Sequence, residues 1–407
     1  MLSYGSPVKA QQELVREDPM VKKFYDLYGQ PLYWFSSSEN IKRATEWLLV
    51  LETSATYGII TSHTESDQIR VALLSDKSLG NDFWGERDRQ ITGLVLHFLK
   101  ELQEGNIKFD YDEVRQSRDS VYIRQLLNSK IPETVSEEVA KLESKEPDYL
   151  MLKKYLNDSV PATDSVRYKS IATAMNYSRY FSVNRQPERI VVNIPETGVK
   201  YYQNDLVIDK MRAVVGKKLT PTPTIASFIT NIVTFPHWNV PHSIAVKEIL
   251  PQVQTKENYL EQHSYDVVDG RGHVIDESTI NWKKYDEKNF PYYFRLSTGN
   301  RNSLGILKFD LQNPYSIFLH ATSWQGAFAL NYRFLSHGCV RLEKPFVLAD
   351  RLLRGEIDFN KLKKGKKNTP PKTIALPHKV AVFIVYNPVL VEGKKIIILP
   401  DTYGLLQ

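Results

Sequence analysis

The sequence predicts an α+β protein: a mostly helical N-terminal domain over residues 1–185, then a β-rich domain over 186–407 with an inserted lid at 251–290. Three observations carry this. From Val21 to about Tyr155 apolar residues recur at helical spacing. Near Arg185-Gln186-Pro187 the texture changes to short apolar runs broken by Pro turns. Between them in character, Leu250 to Phe290 is polar and turn-rich, as expected of an insertion.

Element by element, Ile41–Thr53 has one apolar face, with Asn40 placed to cap its start. Ile91–Glu104 repeats the pattern and ends at Gly105, a residue suited to a helix C-terminus. Thr134–Glu143 and Leu150–Leu156 add shorter helices around the polar break Lys145-Glu146-Pro147-Asp148. Arg189–Ile194 opens the β-rich part, and Val199–Asn204 and Leu206–Val215 form a hairpin about Asn204-Asp205. Strands are also expected at Tyr293–Leu296, Ile306–Phe309, Ser316–His320, Val380–Asn387 and Lys395–Leu399. Pro345–Leu353 reads as one helix with Pro in its first turn. The Lys-rich stretch Lys361–Lys367 reads as a solvated loop.

Composition bounds the function. The 407 residues are 42% hydrophobic and 25% charged, which excludes wholesale disorder and leaves room for two or three domains. A net charge of +6 is a mild bias, and no nucleic-acid-binding motif accompanies it. A single cysteine, Cys339, excludes an internal disulfide framework and a cysteine-rich metal site. The histidines lack a His-Glu-x-x-His spacing and there is no Gly-rich phosphate loop, so no metal and no cofactor is expected. No window is apolar enough for a transmembrane helix, and within Met1–Asp18 no apolar run stands behind the positive charges, so no secretory signal is expected there.

The chemistry concentrates in Ser336-His337-Gly338-Cys339-Val340-Arg341. A thiol becomes a nucleophile when an imidazole or a cationic setting favours the thiolate. Gly338 permits a tight turn whose amides can hold an oxyanion, and Arg341 adds a charge that binds a carboxylate or lowers the thiol pKa. His320, at the end of a strand-like run, is a candidate general base. Each residue alone has an ordinary structural reading: a buried thiol, a surface histidine, a salt-bridged arginine. Their spacing together favours chemistry.

His320, fifteen residues, then Ser336-His337-Gly338-Cys339-Val340-Arg341 resembles the signature of the L,D-transpeptidase catalytic domain. Arg189–Pro195, Met211–Lys217, Trp238-Asn239-Val240-Pro241, Asn302-Ser303-Leu304-Gly305, Lys308-Phe309 and Asp401-Thr402-Tyr403-Gly404 resemble its large, multi-domain Gram-negative branch. Gln30-Pro31-Leu32-Tyr33-Trp34 and Ala55-Thr56-Tyr57-Gly58 resemble that branch's scaffold domain. The resemblance implies a peptidoglycan cross-linking enzyme of the periplasm or cell envelope. Cys339 would attack the stem of a tetrapeptide donor, release D-Ala and hold a thioester; His320 would be the general base. Gly338, His337 and Ser336 would shape the site and its oxyanion hole. Arg341, Trp324 and Tyr332 would position the substrate. Partners implied are the peptide donor, an amine acceptor, other cell-wall synthesis proteins and carbapenem inhibitors. The chain departs from the branch in Ala321-Thr322-Ser323 after the histidine, and no small peptidoglycan-binding repeat is visible.

Other readings use the same residues. Water as acceptor gives an L,D-carboxypeptidase, and another amine gives a different transferase. A catalytically silent wall-binding scaffold is opposed by the intact His320 and Cys339. A cytosolic cysteine protease needs its histidine after the cysteine, whereas here the well-placed histidine, His320, precedes it. Removing Pro251–Phe290 is expected to impair substrate handling more than folding.

Overall fold

The computed structural model describes residues 18–60, 81–129, 133–161, 163–299, 302–355, 357–358, 362 and 369–406. The expected loop Lys361–Lys367 lies, apart from Leu362, outside these residues, as does nearly all of Met1–Asp18. An N-terminal helical region precedes a β-rich domain, so the molecule is α+β. Packing divides it into two units that do not follow chain order. Met1–Lys108, Arg115–Arg185 and Asn387–Gln407 form one; Phe109–Val114 and Gln186–Tyr386 form the other. The division thus differs from a single break at 185 by a short strand and by the C-terminal segment.

The helical unit contains α1 (Pro19–Tyr28), α2 (Ser38–Glu52), α3 (Asn81–Glu104), α4 (Asp119–Leu127), α5 (Val135–Leu142), α6 (Pro147–Ser159) and α7 (Ser165–Val183). Phe24, Trp34, Trp47, Phe98, Leu102, Tyr122 and Val139 close one core between α1 and α5. The buried Asp88 carboxylate accepts from the backbone amides of Tyr33, Trp34 and Phe35 at 2.9, 2.8 and 3.1 Å, which pins the segment entering α2. Ser37, not Asn40, caps α2; the Asn40 amide instead donates to Tyr33 O and Ser36 Oγ. Thr134 and Glu137 form a reciprocal capping box on α5. A second core joins Tyr149, Leu152 and Leu156 of α6 to Ile171 and Met175 of α7 and to Val389 near the C-terminus.

In the β-rich unit the strands are β1 (Tyr111–Asp112), β2 (Glu188–Asn193), β3 (Gly198–Gln203), β4 (Leu206–Gly216), β5 (Ile225–Thr234), β6 (Trp238–Asn239), β7 (Tyr265–Val268), β8 (Val274–Ile275), β9 (Tyr293–Leu296), β10 (Leu307–Leu311), β11 (Leu319–His320), β12 (Phe334–Ser336), β13 (Val340–Leu342) and β14 (Lys372–Val385). The main sheet runs β5-β10-β11-β13-β4-β3-β2-β14, and β14 pairs back onto β5. The eight-strand path therefore closes on itself and builds one interior, with β1 and β12 added at its rim. β1 adds to β5 in parallel, with Tyr111 opposite Ile225. The β3–β4 turn has Asn204 and Asp205 both at positive φ, 48° and 68°, as a two-residue hairpin turn requires.

The inserted element is broader than 251–290 and has its own core. β6, β9, β7 and β8 form a separate four-stranded sheet. Val240, Ile244, Ile249, Leu260, Val267, Phe290 and Phe294 pack together beneath it. Trp238 sits on β6 and packs against this core.

Candidate active site

The turn carrying Cys339 joins β12 to β13, and both strands run along the end of β4. Gly338 has φ +121°, and a Cβ there would lie 3.0 Å from Ile317 Cδ1, so a larger residue would strain the turn. Ser336 Oγ donates to Cys339 O at 2.6 Å and accepts from the Gly338 amide at 3.1 Å. Thr222 Oγ1 donates to Gly338 O at 2.7 Å and accepts from the Gly216 amide at 2.8 Å. The Lys217 amide and Thr220 Oγ1 both donate to Ser336 O, at 3.0 and 3.3 Å. The Gly338 amide is thus spent within the turn. The Cys339 amide has no hydrogen-bond partner among the described residues, which leaves it as the turn's donor for an oxyanion.

β11 and β13 pair in parallel, with Leu319 opposite Val340 and His320 opposite Arg341. One position earlier, Phe318 lies beside Cys339, and Phe318 O accepts from the Val340 amide at 3.1 Å. Because side chains alternate along strands, this register brings Cys339, Arg341 and His320 to one face. Lys308 joins them, since it lies opposite His320 on β10. The thiol is partly buried and donates to Ser316 O at 3.7 Å. Ser316 has φ 56°, a left-handed conformation braced by Asn313, whose side chain bonds the backbone of Leu311, Tyr315 and Ile317.

His320 is only 4% exposed and its Nδ1 lies 2.5 Å from Ala321 O. A carbonyl can only accept, so Nδ1 carries the proton and Nε2 is the basic nitrogen. Burial, reinforced by the Arg341 charge, pulls the imidazole down to about 3. Burial pushes the Cys339 thiol up to about 11, against the opposing pull of the Phe318 backbone, Lys308 and Arg341. Both groups are therefore neutral at rest. A neutral thiol and a neutral imidazole can support attack only if the proton leaves sulfur as the new bond forms, since no thiolate is formed beforehand.

Of the remaining expected residues, Arg341 is half-buried and makes no ion pair among the described residues, so its guanidinium can take an anionic ligand. His337 Nε2 lies 2.8 Å from Glu248 Oε1. Trp324 and Tyr332 are 50% and 54% exposed on the loop before β12, and the ring packed on His320 is instead Phe318, at 5.7 Å. A cavity of about 520 Å³ opens beside Ala321 and Thr322, with Gly305, Glu343 and Pro345 in its walls, but neither Cys339 nor His320 lines it. Among the described residues no group of three or more His, Cys, Asp or Glu is arranged to hold a metal, and no helix is long and apolar enough to cross a membrane.

Four participants escaped the sequence reading: Ser316, the Ala321 carbonyl, Thr222 and Lys308. Backbone carbonyls carry no side-chain signal. Thr222 lay in view within Thr220-Pro221-Thr222-Pro223, yet its distance of more than a hundred residues from Gly338 hid its role.

A family model described as the L,D-transpeptidase catalytic domain matches residues 187–377, and one described as a scaffold domain matches 19–156. A Haemophilus influenzae protein provisionally named an L,D-transpeptidase is 35% identical over 233 residues, 57% of this chain and 47% of that protein. The chain thus spans about half the length of that curated relative. Among solved structures, an L,D-transpeptidase from Mycobacterium smegmatis matches at 12% identity and a TM-score of 0.24, over 49% of this chain and 58% of its own. One from Enterococcus faecium matches at 12% identity and 0.24, over 50% and 51%.

Proposed function

We propose that this chain, whose residues 187–377 match the L,D-transpeptidase catalytic-domain model and 19–156 the scaffold-domain model, cross-links peptidoglycan stem peptides through a cysteine thioester in the cell envelope. Cys339 attacks the stem carbonyl that precedes the terminal D-Ala. His320 Nε2 takes the thiol proton and returns it to the departing D-Ala amine, so a C–N bond breaks as the C–S bond forms. The amine of a second stem then attacks the thioester, loses a proton to His320 and restores the thiol. The Cys339 amide faces the developing oxyanion, and Arg341 pairs with a substrate carboxylate. Ser336, His337 and Gly338 hold the turn, and Trp324 and Tyr332 offer exposed rings to the polymer.

The observation that carries this reading is the β11–β13 register, which sets His320 opposite Arg341, two positions along from Cys339 and on the same face, while Ala321 O orients its ring. The test is mass analysis of products from purified tetrapeptide muropeptides. Dimers lacking one D-Ala are expected from the native chain and none from Cys339→Ala. Tripeptide without dimers in both the presence and absence of acceptor would mark a carboxypeptidase. Carbapenem adducts on Cys339 are expected by the same chemistry, since the β-lactam carbonyl meets the same nucleophile.

A further inference from the structure

The helix that enters the inserted element is His242–Ile244, then a π-helical turn over Ala245–Ile249, then Leu250–Thr255. Pro251 explains the wide turn. It has no N–H to give to Lys247 O, and its ring would crowd that carbonyl in a regular helix. The turn widens instead, with the Leu250 amide reaching back to Ala245 O. Ala245, Val246, Ile249 and Leu250 stay in the core, and Glu248 faces outward. Its Oε1 accepts from His337 Nε2 at 2.8 Å, with Lys217 Nζ 3.3 Å from the same nitrogen.

We infer that Glu248 is a positioning residue: by binding His337 it latches the inserted element to the turn that carries Cys339, and so holds one wall of the peptide-donor site. This rests on the reading that Cys339 takes a peptide donor. The turn itself does not depend on the latch. Thr222, Thr220, the Lys217 amide and Ser336 Oγ pin it from the β4–β5 connection and from within. Losing Glu248 therefore frees the inserted element and leaves the thiol where it is. Donor binding should suffer, and thiol chemistry should not.

Hydrogen exchange on the full chain tests the latch without any substrate. In Glu248→Ala, amides of residues 242–255 should exchange about two- to fivefold faster than in the native chain, the scale of a partly exposed ion pair. Glu248→Gln, which still accepts from His337, should lie close to native. Amides of residues 336–340 should be unchanged. Equal exchange in all three proteins would overturn the latch. With the tetrapeptide donor, KM should rise by a similar factor while kcat stays within about twofold. A fall in kcat at unchanged KM would also overturn the inference, because it would place Glu248 in the chemistry. A native chain that transfers nothing would sink the functional reading alone, and the exchange result would still decide the latch.

Discussion

At the residue scale, burial holds the His320 imidazole and the Cys339 thiol both neutral, and this couples their protonation to stability. The His320 imidazole falls from 6.5 to about 3 on folding, so below pH 6.5 the unfolded chain binds a proton that the folded chain refuses. Stability is lost as pH falls from about 6.5 towards 3. The Cys339 thiol rises from 9.0 to about 11, so above pH 9 the unfolded chain releases a proton that the folded chain keeps. Stability is lost again as pH rises from 9 towards 11. Thermal unfolding at pH 5, 7.5 and 10 should show a loss of on the order of 1 kcal/mol at each end from these groups. His320→Gln should flatten the acid side and Cys339→Ala the alkaline side. If neither variant changes the profile, burial does not govern these groups. Both residues stand out in the sequence because a lone cysteine beside His337 and Gly338, with His320 upstream, is a rare arrangement. Their neutrality does not, since burial is set by Phe318, Ala321 and Leu304 folding around them.

At the element scale, local chemistry predicted well where it acts locally. Asn204-Asp205 made its hairpin, Gly105 ended α3 with φ +72°, and Pro345 began its helix. The start of α2 moved to Ser37 because Asn40 found partners in the preceding turn. α7 gave no one-sided stripe, since Ser170, Ile171, Ala172, Ala174, Met175, Tyr177, Arg179 and Tyr180 are all buried around its circumference. The expected strand over Ser316–His320 shortened to Leu319–His320, because Asn313 and the left-handed Ser316 shape the rest as a loop. The inserted element brings the largest revision. Removing residues 251–290 takes Leu260, Val267 and Phe290 out of its core and strips cover from Val240, Ile244 and Phe294. Each such side chain contributes about 1.5–3 kcal/mol when buried. That deletion should therefore lower the melting temperature sharply or yield insoluble protein. A soluble chain with a native melt would restore the simpler picture of a dispensable lid.

At the scale of the whole molecule, the chain passes between its two packing units more often than sequence order suggests. The C-terminal hairpin of β15 (Val389–Glu392) and β16 (Lys395–Ile398) belongs to the helical unit, where Val389, Val391 and Ile396 pack with α6 and α7. Truncation after Tyr386 should destabilise α6 and α7 by about 2–4 kcal/mol, the cost of uncovering two or three such side chains. Hydrogen exchange over residues 147–183 would read it, with the β-rich unit as the internal control. Protection that survives truncation would mean that the hairpin is an ornament. Nothing local to residues 387–407 marks this destination, because β-hairpin chemistry is the same whichever core receives it.

Residue order alone carried the motif around Cys339, its glycine turn, the helix end at Gly105, the Asn204-Asp205 hairpin and the change from helical to β-rich texture. These follow from steric and hydrogen-bonding preferences that act within a few residues. Long-range packing set the parallel register that puts His320 opposite Arg341, the carbonyl that orients its ring, the reach of Glu248 to His337 and the unit that claims the C-terminus. Each of these joins groups far apart in the chain, and their pairing depends on how sheets close and cores fill.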